Sequence, residues 1–354
     1  MTAEQQSTGS DRYWLLLGTV SLGSVLAPLN STMLAVALPE IRDDFSLSHA
    51  EIGWLVSGYL IAMAVAQPIA GRLSDRLGRM RVLRVSLLAF LAFSLAAAAA
   101  PNFALLVAFR TGQALMGAAI GPTGMAMVRD SVPVRRLGQS NGFTGSVLSL
   151  SAAAGPLVGA LFLELGSWRY LFLANVPIVA LVFLAQSRLR YPTGGEAVGS
   201  VRGLLDWFGA ALLVAALIFL TLLLNSVRGS DATGLILGAV GLGLTGAAFV
   251  ARQRRTTQPL AGWHLFRIRS YRAATSHILL TNLVMYTTLL SIPFFIREIQ
   301  DKGVGTTGIL LGAMSVLMAL LAPLSGRISD SQGRRLPALA GSIFAFAAIV
   351  IIAT

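Results

Sequence analysis

"GRLSDRLGRMR" occupies residues 71 to 81 between two apolar runs, and "GRISDSQGRR" occupies residues 326 to 335 in the same kind of setting. With Asp75 set against Asp330, Gly71, Arg72, Ser74, Gly78 and Arg79 face Gly326, Arg327, Ser329, Gly333 and Arg334. Six identities in nine positions, each copy between long apolar segments, point to internal duplication, a common route to transporter folds. The glycines are expected to permit a tight turn and close backbone approach, with Asp75 near a helix N-terminus where backbone N–H groups favour an anion.

The surrounding chain sets the solvent. Of 354 residues, 55% are hydrophobic and 12% are charged, where soluble domains carry about 25% charged residues. Such a chain cannot cover itself with polar surface and belongs in lipid. Cysteine is absent, which excludes disulfides and thiolate chemistry. The net charge of +12 sits in short loops between apolar runs, so membrane orientation explains it and nucleic acid is not an expected partner.

A spanning helix needs about 20 mostly apolar residues. Eleven segments qualify, at roughly 13–38, 52–71, 82–100, 104–128, 141–163, 168–187, 204–225, 232–251, 273–296, 307–326 and 336–354. With a cytoplasmic N-terminus, the inner loops hold 20 of the 27 basic residues and the outer loops hold 5, the asymmetry that sets orientation. One misplaced segment would invert every later loop. The polar start lacks a signal-peptide pattern, so the first segment is expected to stay as a helix. "RRTTQPLAGWHLFRIRSYR" (254–272) reads as an amphipathic segment lying at the cytoplasmic surface. The expected fold is thus an all-α integral membrane protein.

The second loop copy lies eight segments after the first. A six-helix repeat with two inserted helices accounts for that offset. The expected domains are a six-helix bundle over 1–190, a linker plus two inserted helices over 191–255, and the start of a second bundle over 256–354. The chain stops within an apolar run and is expected to be a fragment.

These residues resemble the major facilitator superfamily, in particular its fourteen-helix drug:proton antiporter branch. "GRLSDRLGRMR" looks like its helix 2–3 loop motif, and "RTGQALMGAAIGP" (110–122) is similar to its helix 4 motif with an intramembrane Arg. "SAAAGPLVGA" (151–160) resembles the antiporter motif of helix 5, which includes Gly155, Pro156 and Gly159. "LNSTMLAVALPEI" (29–41) and "WRYLFLANVPI" (168–178) resemble signatures of the fourteen-helix branch. The resemblance implies a monomeric multi-pass carrier of the bacterial inner membrane, with small molecules and protons as partners. It also implies that Asp75, with Arg76 beside it, latches the two halves on the cytoplasmic side; the local alternative is an Asp balancing its own arginines.

Arg110 is the one charge well inside a predicted helix, where it costs roughly 2.5–3.5 kcal/mol on insertion scales. It is a candidate for proton coupling, with snorkelling to the interface as the alternative, and Gln113 lies one turn on. Asn30 stands where many relatives in that branch carry an Asp. It cannot take up a proton, so it is a candidate for the substrate cavity or for a bond to a neighbouring helix. The predicted helices hold no well-buried Asp or Glu. His277 carries a side chain of the type most used for proton exchange and is either a coupling group or an interfacial residue. Asn282 and Tyr286 either face the cavity or join helices. Gly155 and Gly159 are expected to let a neighbouring helix approach, with Pro156 bending their own.

No metal or cofactor is expected, because His49, His264 and His277 lack ligand spacing and "GLGLTG" (241–246) lies inside a predicted helix. The single lysine, Lys302, lies on an outer loop and cannot serve a nucleotide-binding Gly-Lys motif. The chain is therefore read as a transporter and not an enzyme. Proton-driven export of small, largely apolar compounds, with an antibiotic-resistance role, is the leading expectation. Uptake or uniport, or an inactive truncated chain, is the alternative.

Overall fold

The computed structural model describes residues 3–189, 206–229, 231–256, 259–260, 263–332 and 335–353. These are mostly helical, without a strand among them: α1 Ala3–Asp44, α2 His49–Leu77, α3 Arg79–Ala98, α4 Phe103–Ser131, α5 Val134–Glu164, α6 Tyr170–Leu173, α7 Asn175–Ser187, α8 Trp207–Gly229, α9 Ala232–Arg255, α10 Arg269–Phe294, α11 Val304–Gln332 and α12 Arg335–Ala353. Among the described residues, nine helical spans are long and apolar enough to cross a membrane. α11 and α12 occupy the tenth and eleventh predicted places. Lipid offers no partner to a backbone amide, so helices that bond internally are the expected solution.

Helix starts follow side-chain caps. Ser48 and Glu51 form a reciprocal capping box at α2, Asn102 accepts from Leu105 N at α4, and Asp231 accepts from Thr233 N and Gly234 N at α9. Each supplies an acceptor to donors that the helix leaves without partners.

The sixth predicted segment breaks into α6 and α7. The Phe172 carbonyl accepts from Ser94 Oγ at 2.8 Å and from Asn175 Nδ2 at 3.2 Å, and Asn175 Nδ2 also donates to Ser94 Oγ at 2.7 Å. Side chains thus compete with the backbone for that carbonyl. Of the expected amphipathic surface segment (254–272), 254–255 close α9, Trp263–Arg267 form a short 3₁₀ turn and α10 begins at Arg269, while 257–258 and 261–262 lie outside the described residues. Pro259 disfavours a helix continuous with α9.

By contacts the chain divides into two compact units. The first takes Met1–Ser24, Arg42–Pro133 and Phe172–Trp263; the second takes Val25–Ile41, Val134–Leu171 and His264–Thr354. In the first unit, α2, α3 and α4 pack through small residues, with Tyr59, Ala62 and Ala114 in one buried cluster and Ala70, Val82 and Ala119 in another. Gly112 and Gly117 of α4 lie against the rings of Phe93 and Phe90. Without a hydrophobic drive between helices in lipid, such close van der Waals contact holds them together.

Asp206 corrects the expectation that the predicted helices hold no well-buried carboxylate: its side chain is 1% exposed. It caps α8 by accepting from Gly209 N at 2.9 Å, and it accepts from Arg252 Nε at 3.1 Å and Gln253 Nε2 at 2.9 Å on α9. Its position at the helix end makes it a staple of the α8–α9 hairpin. Asp206→Ala removes the acceptor that Gly209 N, Arg252 Nε and Gln253 Nε2 share, so a loss of about 1–3 kcal/mol is expected, read as a lower melting temperature in detergent.

In the second unit, α5 presents small residues on two faces. Gly155 and Gly159 lie against Thr32 and Met33 of α1, while Ala160 and Leu157 meet Gly308 and Gly312 of α11.

Candidate functional site

The duplicated stretch is more helical than its composition suggests. α2 runs on to Leu77 and stops at Gly78, whose φ of +91° lies in the region that glycine alone enters freely. The second copy ends its helix at Gln332, the position aligned with Leu77. Gly326 and Asp330 are therefore helical, while Gly333 and Arg334 lie outside the described residues. Gly71 is a correction: it sits inside α2, and a Cβ there would meet nothing within 4 Å. Only Gly78 is needed for the turn.

Asp75 is corrected too. It lies at the C-terminal end of α2, where the dipole disfavours an anion, and not at an N-terminus. Its compensation comes across the turn, where Arg79 Nη2 donates to Asp75 Oδ1 at 3.1 Å. Arg79 Nη1 also lies 2.5 Å from Asp130 Oδ2 on α4, a close ionic contact outside hydrogen-bond geometry. One guanidinium thus ties the ends of α2, α3 and α4. Arg76, exposed in the last turn of α2, suits the negative end of that helix. Sequence reading missed Asp130; its position beside Arg129 at the inner end of α4 was the available signal.

Arg110 is 1% exposed, so it does not snorkel. Its Nη1 donates to Gln113 Oε1 at 2.5 Å, and its guanidinium lies 4.0 Å from the centre of the Tyr59 ring and 5.8 Å from that of Phe172. The i, i+3 spacing on α4 brings Arg110 and Gln113 onto one face. Tyr59 comes from α2 and could not be placed from sequence, because nothing local specifies which residue faces which across two helices. A cation over a ring in a dry setting gains about 2 kcal/mol. The arrangement keeps a permanent positive charge in a protein interior, where it can hold an anion or shift a proton equilibrium nearby.

Asn30 is buried in α1 within the second unit. Two residues on, Thr32 donates through Oγ1 to Pro28 O at 2.9 Å. A Cβ on Gly155 would fall onto Thr32 Oγ1, and one on Gly159 would meet Met33 O at 2.9 Å. α5 therefore rests on the backbone of α1, with Pro156 between the two glycines removing one helical donor. On α10, His277 and Asn282 are exposed and Tyr286 is half-buried. Asn282 Nδ2 donates back to Ile278 O at 3.0 Å. These three are not brought to Asn30 by any described contact.

Comparison with known proteins agrees with this architecture. The sequence profile of the Major Facilitator Superfamily matches residues 20–354. The chain is 34% identical over 310 residues to the uncharacterized MFS-type transporter YvkA of Bacillus subtilis, covering 88% of this chain and 68% of that protein. It is 29% identical over 350 residues to the tetracenomycin C resistance and export protein of Streptomyces glaucescens, covering 96% of this chain and 63% of that one. Among solved structures it resembles the human organic anion transporter MFSD10 with a TM-score of 0.58 at 18% identity, over 96% of this chain and 84% of that one. Nine spans apolar enough to cross a membrane among the described residues, a stretch of sequence written twice, an interior arginine on α4 and this match over most of the chain lead to one assignment: the protein is a multi-pass membrane transporter of the Major Facilitator Superfamily.

Proposed function

We propose that the protein exports small, largely apolar compounds across the bacterial inner membrane in exchange for protons, as a monomer of the fourteen-helix branch with a cytoplasmic N-terminus. The carrying observation is Arg110, a charge buried in a helix of the membrane span against a cost of roughly 2.5–3.5 kcal/mol. A coupling role supplies a reason for it. The export relative from Streptomyces and the α5 glycines seated on α1 support the direction.

In this reading, α8 and α9 are a pair inserted between two six-helix halves that divide near residue 190, with 191–255 as the insert and 256–354 opening the second half. Alternating access rocks one half against the other around a midplane cavity. Asp75, and Asp330 in the second copy, serve the cytoplasmic latch. In unit 1, Arg79 and Asp130 already bind the first copy into the α2–α3–α4 corner. Arg110 handles the proton equilibrium with Gln113 beside it, His277 is a second coupling candidate, and Asn30, Asn282 and Tyr286 contribute polar groups to the cavity.

Asn30 favours one competing reading. A carboxamide cannot release a proton, so uniport or uptake by the same fold follows if no other group replaces the missing acid. Everted vesicles separate the two. Accumulation of a lipophilic dye that collapses when the pH gradient is dissipated is the expected result. Accumulation indifferent to the gradient establishes the second reading.

A further inference from the structure

The second unit contains a cavity of about 480 Å³ at the end of α1 and the start of α11, on the face that the loop charges mark as external. Its size falls within the usual range for small-molecule sites. Val36, Pro39, Pro293 and Thr307 are buried and form its floor, which is apolar except for one hydroxyl. Glu40, Arg297, Asp301 and Lys302 form its rim. The floor can take a ring body, and the rim offers two cations and two carboxylates.

The rim is ordered by backbone. α10 ends in a π turn, Phe295–Ile299, with Gln300 N donating to Phe295 O at 3.2 Å. Lys302 N then donates to Ile296 O at 3.0 Å, and Asp301 takes a φ of +49° to allow it. Such wide turns recur at functional sites. They place Arg297, Asp301 and Lys302 on one side, facing Glu40 at the end of α1. Lys302 is the chain's single lysine among 27 basic residues.

We propose that this cavity binds amphoteric small molecules, those with an apolar ring body and both an ammonium and a carboxylate group. A rim of balanced charge gives a purely cationic or purely anionic compound one attraction and one repulsion. An amphoteric one satisfies both signs while its ring covers the floor. On the export reading the cavity is the outer station of the substrate path; the binding itself does not depend on that reading.

The test uses three dansyl probes: Nε-dansyl-lysine carries both charges, dansylcadaverine only the ammonium, and dansylglycine only the carboxylate. Fluorescence titration of the purified chain in lipid nanodiscs is expected to give dansyl-lysine a Kd about tenfold below either congener, equivalent to 1.4 kcal/mol. Glu40→Gln removes the advantage over dansylglycine, and Lys302→Gln removes the advantage over dansylcadaverine. Lys302→Arg keeps it. Should Glu40→Gln fail to fold, Asp301→Asn provides the acidic arm. Equal affinities for the three probes, or a preference untouched by the rim variants, overturns the proposal. Binding that persists in a chain unable to respond to a pH gradient sinks the export reading and leaves this one standing.

Discussion

Arg110→Met is expected to leave the protein folded and to stop gradient-driven transport. Hydrogen bonds to a charged group contribute about 1.5–3 kcal/mol, so losing one that acts in the transport cycle slows it by about 10- to 150-fold. Stability should respond differently. Removing a buried charge relieves a desolvation penalty of several kcal/mol. Against that stands the Gln113 carbonyl, which loses its 2.5 Å donor at about 1–3 kcal/mol. The two nearly cancel, so the melting temperature should move little.

Arg110→Lys keeps the charge but not the planar group that lies over Tyr59, and it should transport poorly as well. Tyr59→Phe retains the ring face and should transport almost normally; Tyr59→Leu should not. Dye efflux from everted vesicles and melting in detergent measure the two effects separately. Wild-type transport by Arg110→Met would remove the arginine from the mechanism.

The second large effect lies on α5 and distinguishes two glycines by what each touches. A Cβ at Gly159 meets Met33 O at 2.9 Å, Met33 Cα at 3.2 Å and the Met33 carbonyl carbon at 3.4 Å, all of them backbone. No side-chain change on α1 relieves that contact, so the helices must separate. Gly159→Ala should cost about 1–3 kcal/mol, the ordinary range for overpacking. Gly159→Val should yield almost no folded protein by fluorescence-detected size exclusion.

Gly155 differs because its first obstacle is a side chain, Thr32 Oγ1, with Thr32 Cβ at 2.8 Å and Met33 N at 3.1 Å behind it. Gly155→Ala should be comparably destabilising alone and should recover at least half the loss in combination with Thr32→Ala. Gly159→Ala with Met33→Ala should recover nothing. Such a cycle isolates the pairwise contact. Equal rescue at both sites would contradict the geometry.

The helices were legible because apolar length in lipid leaves the chain little choice. The placement of the repeat was legible too, and its two helix ends fall at aligned residues, Leu77 and Gln332. Its conformation was not. Gly, Ser and Arg read as a loop, yet α2 passes through all of them to Leu77, since Gly71 needs no unusual φ and helical bonding satisfies the backbone. Arg110 and Gln113 could be paired because their contact is local, three residues apart on one helix. The Arg79–Asp130 and Arg110–Tyr59 contacts could not, because they depend on how α2, α3 and α4 are rotated against one another. The split of the sixth helix hinges on one carbonyl shared with Ser94 from α3, again a partner that no local pattern names.

Arg72, the second residue of the repeated stretch, donates through Nη2 to the main-chain oxygen of Pro259 at 2.7 Å, 187 positions away. Every amino acid presents that oxygen, so the connecting segment can change its side chain at 259 freely and still be held. The guanidinium has no such substitute. The burden of the tether therefore falls on one end alone, and the linker is left chemically unconstrained at its point of attachment.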